Sequence, residues 1–293
     1  MIRCKQVYKI QLNILYIRYA LREERCILKT EKVTFECQGN VLYGELYIPD
    51  ETPAPGIIVC HGMNKHGFHA IGLYRKFAEE ASKNGFAVLL FDFRGCGKST
   101  GKFGYGIEEQ HDLRCALNYL SSRSEVDAET IFVVGHSLGG AIALYTAREE
   151  DRFKALVLWS TPANHAYNVK KFIISNSGKL AYYIFLIVSY IDDLIDISKL
   201  FDMRVYGILL RPSLVRKKLM KLNESEVVSK LKIPILIVIG NDDRIVGVEE
   251  ARQIFSAANN PKKFVIIEGA NHIYEGKEDK VIFETLNWLK SLV

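Results

Sequence analysis

"VVGHSLGGAIAL", Val133 to Leu144, holds a serine between two glycines, Gly135 and Gly139. A lone G-x-S-x-G arises by chance in about one chain in ten of this length. The surroundings carry more weight. Val133 and Val134 close a β-branched run, and an alanine-rich helical pattern follows. That strand–turn–helix order is what a nucleophile elbow requires. Such a turn stands the serine Oγ clear at the C-terminal end of a sheet. It also aims the following helix N-terminus at developing negative charge.

Outward from this stretch, strand-like and helix-like runs alternate. Residues 32–37 and 41–48 read as an antiparallel pair turned at Gly39-Asn40. Strands are predicted at 56–60, 86–93, 130–135, 155–161, 233–240 and 262–269. Helices are predicted at 71–84, 107–122, 138–149, 248–258 and 278–291. The alternation argues for an α/β fold with a mainly parallel sheet covered on both faces. Residues 163–230 break the plan. They are aromatic-rich, basic and helical in pattern, which suggests a helical cap inserted into a core of 31–162 and 231–293. Residues 1–30 form an N-terminal extension.

A serine hydroxyl needs a base to take its proton, and a histidine held by a carboxylate is the usual one. In a strand–elbow–helix architecture the chain order is Ser, Asp, His. His272 follows the strand at 262–269, and Asp242 and Asp243 follow the strand at 233–240. All three fall at the same sheet end as Ser137. Spacing alone does not choose between the two aspartates. Oxyanion donors are expected from the backbone N–H of Leu138, just after the serine, and of Met63, in the loop after the 56–60 strand.

Together, "HGMN" (61–64), "FDFRGCGKSTG" (91–101), "GHSLGG" (135–140), "GNDDRIV" (240–246) and "GANH" (269–272) resemble serine hydrolases of the α/β-hydrolase fold. The likeness is greatest to the branch with serine aminopeptidase-like hydrolases, monoacylglycerol lipases and cinnamoyl or feruloyl esterases. It spans most of 32–293. It implies a triad of Ser137, Asp243 and His272, with His272 as base and Asp243 orienting it. It also implies that 163–230 shapes the substrate pocket. The activity implied is hydrolysis of a small-molecule carboxylic ester through an acyl-enzyme, with no cofactor and no metal. An amide, peptide or thioester bond fits the same triad, and a non-enzymatic binding scaffold is a third reading.

The remaining signals set bounds. The 293 residues are 48% hydrophobic and 25% charged, the balance of a globular domain with a large core. The net charge of +5 is mild, and no nucleic-acid-reading motif or dense basic stripe is present. Six cysteines without a CxxC pair read as reduced thiols in a cytoplasmic protein. The longest apolar run, Leu180 to Ile191, is shorter than the roughly 20 residues of a membrane span. Val7, Ile10, Ile14, Ile17 and Leu21 recur at helical spacing among basic residues. That segment fits a peripheral membrane helix, a dimer contact, or an upstream stretch translated from an over-long gene start. His61, His136, Asp92 and Arg94 read as structural, and His66 and His69 as equally placed to line the pocket or not. Tyr182, Tyr183, Phe185 and Tyr190 suit either substrate contact or the cap's own core. Arg211, Arg216, Lys217, Lys218 and Lys221 read better as a solvated face than as an anion site.

Overall fold

A computed structural model describes residues 29–197 and 204–293. Eight strands form one sheet: β1 (Lys29–Cys37), β2 (Asn40–Ile48), β3 (Ala54–Cys60), β4 (Ala87–Phe91), β5 (Val126–His136), β6 (Phe153–Trp159), β9 (Ile235–Gly240) and β10 (Lys262–Ile267). Their order is β1-β2-β4-β3-β5-β6-β9-β10. Pairing is parallel from β4 onward, and β1 and β2 form an antiparallel edge.

The central strands are apolar at nearly every position because both faces are covered. Ile58, Val133, Leu156 and Ile237 pack on one face, and their neighbours Ile57, Val134, Val157 and Val238 on the other. The first face receives α2 (Glu109–Ser121), α3 (Leu138–Ala147) and α7 (Val248–Ala257). The second receives α1 (Leu73–Lys83) and α8 (Glu278–Lys290). Each lies within about two residues of its predicted position.

Buried charge ties the loops at the C-terminal end of the parallel strands. Arg94 and Asp112 make a two-pronged ion pair, at 2.6 Å from Nη2 and 2.9 Å from Nε to Oδ1. Asp112 also accepts from the Arg94 backbone N–H at 2.9 Å. Asp92 accepts from the N–H of Phe68 at 3.0 Å and of Lys98 at 2.9 Å. Burial still pushes its carboxyl up to about 6. Gly67 and Gly97 crowd that carboxylate so closely that a Cβ would stand 1.8 and 2.0 Å from its oxygens. One aspartate thus holds the loops after β3 and β4 together.

Between β6 and β9 lie α4 (His165–Ile191), a hairpin of β7 (Arg204–Val205) and β8 (Ile208–Leu209), then α5 (Pro212–Lys217) and α6 (Glu224–Val228). The hairpin corrects the expectation of helix alone, since two-residue strands leave no periodicity to read. The helix α4 runs well beyond the apolar stretch 180–191. By length and composition it is long and apolar enough to cross a membrane, contrary to the sequence reading. Gly178, at φ 86° and ψ 167°, breaks it in two. Segments 165–177 and 179–191 are each about 20 Å long, short of a hydrocarbon core of about 30 Å. Lys29 and Thr30 belong to β1 rather than to an extension. The amphipathic positions from Val7 to Leu21, and Cys4 and Cys26, lie outside the described residues.

Cys37 and Cys115 are joined as a disulfide, which corrects the reading of these two as reduced thiols. They are far apart in sequence, and only the packing of α2 against β1 brings them together. Cys60 and Cys96 are free and buried.

Replacing Arg94 by Met is expected to cost about 3–5 kcal/mol, because it leaves the fully buried Asp112 charge unpaired. Urea denaturation of the two proteins measures it.

Candidate active site

The turn between β5 and α3 places Ser137 at φ 54° and ψ −121°. A left-handed backbone is costly for a residue with a Cβ and persists only where the surroundings enforce it. The glycines enforce it through close approach. A Cβ on Gly135 would lie 2.6 Å from the Gly139 carbonyl oxygen. One on Gly139 would lie 2.2 Å from the carbonyl oxygen of Cys60. The sharp reversal therefore presses α3 directly against the ends of β3 and β5.

The structure brings Ser137, His272 and Asp243 together from three loops at one end of the sheet. Ser137 Oγ is 3.1 Å from His272 Nε2, and His272 Nδ1 is 2.9 Å from Asp243 Oδ2. With Nδ1–H donated to the carboxylate, the neutral ring keeps its lone pair on Nε2, facing the serine proton. The Asp243 side chain is fully buried. Its other oxygen accepts from the N–H of Ile245 at 2.9 Å and of Val246 at 3.0 Å. Burial opposes its charge, but His272 and the Val246 N–H outweigh burial and hold the carboxyl below its ordinary range. Asp242 is exposed and takes no part in this chain, so the geometry separates the two aspartates.

Leu138 opens α3, and its N–H is one of the first-turn donors that a helix cannot satisfy internally. Met63 lies in the loop after β3. Both residues line the same cavity as Ser137 and His272. A Cβ on Gly62 would come within 3.2 Å of Ser137 Cβ, so that loop runs against the serine.

A second set of bonds fixes these loops, in keeping with the structural reading of His61 and His136, and adds Tyr74, which the sequence did not single out for it. His136 Nε2–H donates to the His272 carbonyl at 2.9 Å. Its Nδ1 accepts from the Tyr74 hydroxyl at 2.7 Å. The Tyr74 oxygen accepts in turn from Gly62 N–H at 3.1 Å. His61 Nε2 accepts from Phe93 N–H at 3.1 Å, and its Nδ1 lies 2.7 Å from the Gly62 carbonyl. Burial pushes His61 down to about 4, and burial with the neighbouring His272 pushes His136 down to about 3. Both rings are neutral spacers. A tyrosine on an amphipathic helix carries no sequence signal that its hydroxyl bridges two loops.

The cavity above Ser137 has a volume of about 470 Å³, the size of a small-ligand site. Its walls are mainly apolar, with Phe172, Ile173 and Phe185 of α4 facing Leu219, Ile245 and Ile273. Phe185 is thus a cavity residue, whereas Tyr183 and Tyr190 are exposed. His66 and His69 do not line it. Arg75 Nη2 lies 2.9 Å from His69 Nδ1, and the imidazole stacks on Phe68. Of the basic residues singled out in 163–230, four are paired, Arg211 with Asp192 and Asp196, Arg216 and Lys217 with Asp193, and Lys218 with Glu108, and Lys221 is exposed. Among the described residues no group of three or more His, Cys, Asp or Glu is placed to hold a metal.

The profile of the family described as "Serine aminopeptidase, S33" matches residues 51–186, a span that includes Ser137. A monoglyceride lipase homolog of Monkeypox virus is 24% identical over 267 residues, covering 84% of this chain and 92% of its own. The α/β hydrolase GrgF from Penicillium sp. sh18 superposes with a TM-score of 0.72 at 18% identity, over 90% of this chain and 99% of that one. Est1E from Butyrivibrio proteoclasticus, solved with ferulic acid bound, gives 0.70 at 23% identity, over 89% and 98%.

Replacing His136 by Gln removes a group that is neutral when folded and titrates near 6.5 when unfolded. Its depressed value contributes stability that is fully present above pH 6.5 and is lost as pH falls toward 3. The stability advantage of wild type over His136→Gln should shrink by roughly 2 kcal/mol between pH 7.5 and pH 5. Urea unfolding of both proteins at the two pH values checks this.

Proposed function

We propose that this protein, which has the α/β-hydrolase fold and resembles the serine aminopeptidase, monoacylglycerol lipase and feruloyl esterase branch, hydrolyses small carboxylic esters through an acyl-enzyme. The observation that carries the reading is the relay Ser137–His272–Asp243 at the floor of a largely apolar cavity. Ser137 Oγ attacks the ester carbonyl as its proton passes to His272 Nε2. Asp243 stabilises the imidazolium, and the N–H groups of Leu138 and Met63 receive the oxyanion. Collapse expels the alcohol, which takes the proton from Nε2. Water, deprotonated by His272, then attacks the acyl carbon. The acid leaves and Ser137 recovers its proton.

The cavity wall favours esters over aminoacyl substrates. A free α-amine needs a carboxylate to balance its charge. Among the described residues that line the cavity, none is Asp or Glu.

Ser137→Ala should lower kcat on p-nitrophenyl butyrate by about 10³-fold or more and abolish labelling by a fluorophosphonate probe. Asp243→Asn should leave the fold intact and lower kcat by a similar order, because the amide no longer enforces the productive tautomer of His272. Full activity in Ser137→Ala, measured on rigorously purified protein, would refute the mechanism.

A further inference from the structure

One imidazole of the cavity wall, His165, is backed by a buried carboxylate behind the wall, a pair that the proposed hydrolytic relay does not use. His165, the first residue of α4, lines the cavity, and its Nδ1 lies 2.7 Å from Glu224 Oε1. The Glu224 side chain is fully buried and that of His165 is 7% exposed. Burying a carboxylate costs several kcal/mol unless its partners compensate. The large majority of buried side-chain polar atoms have a hydrogen-bond partner. Here Glu224 Oε2 has no hydrogen-bond partner among the described residues. His165 Nε2 also makes no hydrogen bond to them.

The cavity's other polar groups are largely committed. Tyr74 and His136 bond each other, and Ser137 and His272 are the reacting pair. The Asn168 amide donates to the Ile245 carbonyl, and Asn64 Oδ1 accepts from His66 N–H. Tyr206 is half-exposed. His165 is the buried polar group left over in an apolar enclosure.

We propose that His165, held by Glu224, is a recognition site for a hydroxyl group on the part of the substrate lying beneath the cap. Glu224 engages Nδ1, which leaves Nε2 as the ring atom free to exchange a hydrogen bond with a hydroxyl, a group that both donates and accepts. A site that offers a buried hydrogen-bonding partner selects against the analogue lacking the matching group. The hydroxyl belongs either to the acyl chain or to the leaving alcohol, and the same Nε2 serves both. This deepens the ester reading and rests on it for catalysis, whereas recognition itself is measurable without turnover.

The test uses two matched series. One compares p-nitrophenyl esters of unsubstituted and ω-hydroxylated C4 to C8 acids. The other compares phenyl and hydroxyphenyl butyrates. Wild type should favour the hydroxylated member of one series by about 10-fold or more in kcat/KM, and that series identifies the half of the substrate under the cap. His165→Asn keeps a donor for Glu224 and removes Nε2. It should cut the preference to within twofold and leave kcat/KM for the unhydroxylated member within about threefold. In Ser137→Ala, which binds without turnover, the preferred hydroxylated ester should bind at least fivefold tighter than its partner by calorimetry. That measurement stands if His165→Asn fails to fold or if wild type proves inactive on esters, so failure of the hydrolytic reading is distinguishable. Equal binding of both members in both series overturns the proposal. So does a His165→Asn variant that loses activity equally on both members, the mark of a purely structural pair.

Discussion

The active end of the molecule depends on one backbone reversal. Ser137 adopts a left-handed conformation, and its cost is met because β3, β5 and α3 converge closely enough to leave no other path. Gly135 and Gly139 are glycines for contact distance, not for dihedral freedom, since neither has a positive φ. The consequences run outward. The reversal projects Oγ toward His272, opens α3 at Leu138 with unused donors, and brings Gly62 against the serine.

A second requirement is that three loops from separate strands hold a common geometry. Asp243 is buried and carries its charge because His272 and two backbone N–H groups surround it. The backbone of His272 is tied through His136 and Tyr74 to Gly62, on the loop that bears Met63. The loops that bear His272 and Met63 are therefore mechanically coupled. Neutral histidines suit this coupling, because under the proposed mechanism a charged ring beside His272 would oppose an imidazolium there.

Much of this was legible from the chain. Period and burial agree for the central strands, so the apolar runs at 56–60 and 130–135 gave both the strands and the parallel sheet. Ser137 and His272 stand out because each follows a strand. Choosing Asp243 over Asp242 needed the family likeness, and in three dimensions the choice follows from burial. The cap was less legible. Its β7–β8 hairpin is too short for periodicity, and the break at Gly178 lies inside an otherwise continuous helical pattern. Tyr74, His165 and the Cys37–Cys115 contact all depend on pairings between distant segments, which local composition does not encode.

The positions that fix the reacting geometry, from Gly62 and Tyr74 through His136, Ser137, Asp243 and His272, all lie outside residues 163–230. The cap supplies much of the cavity wall and meets the core through contacts such as Lys218 with Glu108 and Asn223 N–H with the Tyr145 hydroxyl. The proposed relay and much of the cavity wall therefore occupy separate stretches of one polypeptide. The two stretches are nonetheless fastened together: Asn168 and Lys171 of α4 bond the carbonyls of Ile245 and Val246, whose N–H groups hold Asp243, so a foreign roof has to supply those bonds as well.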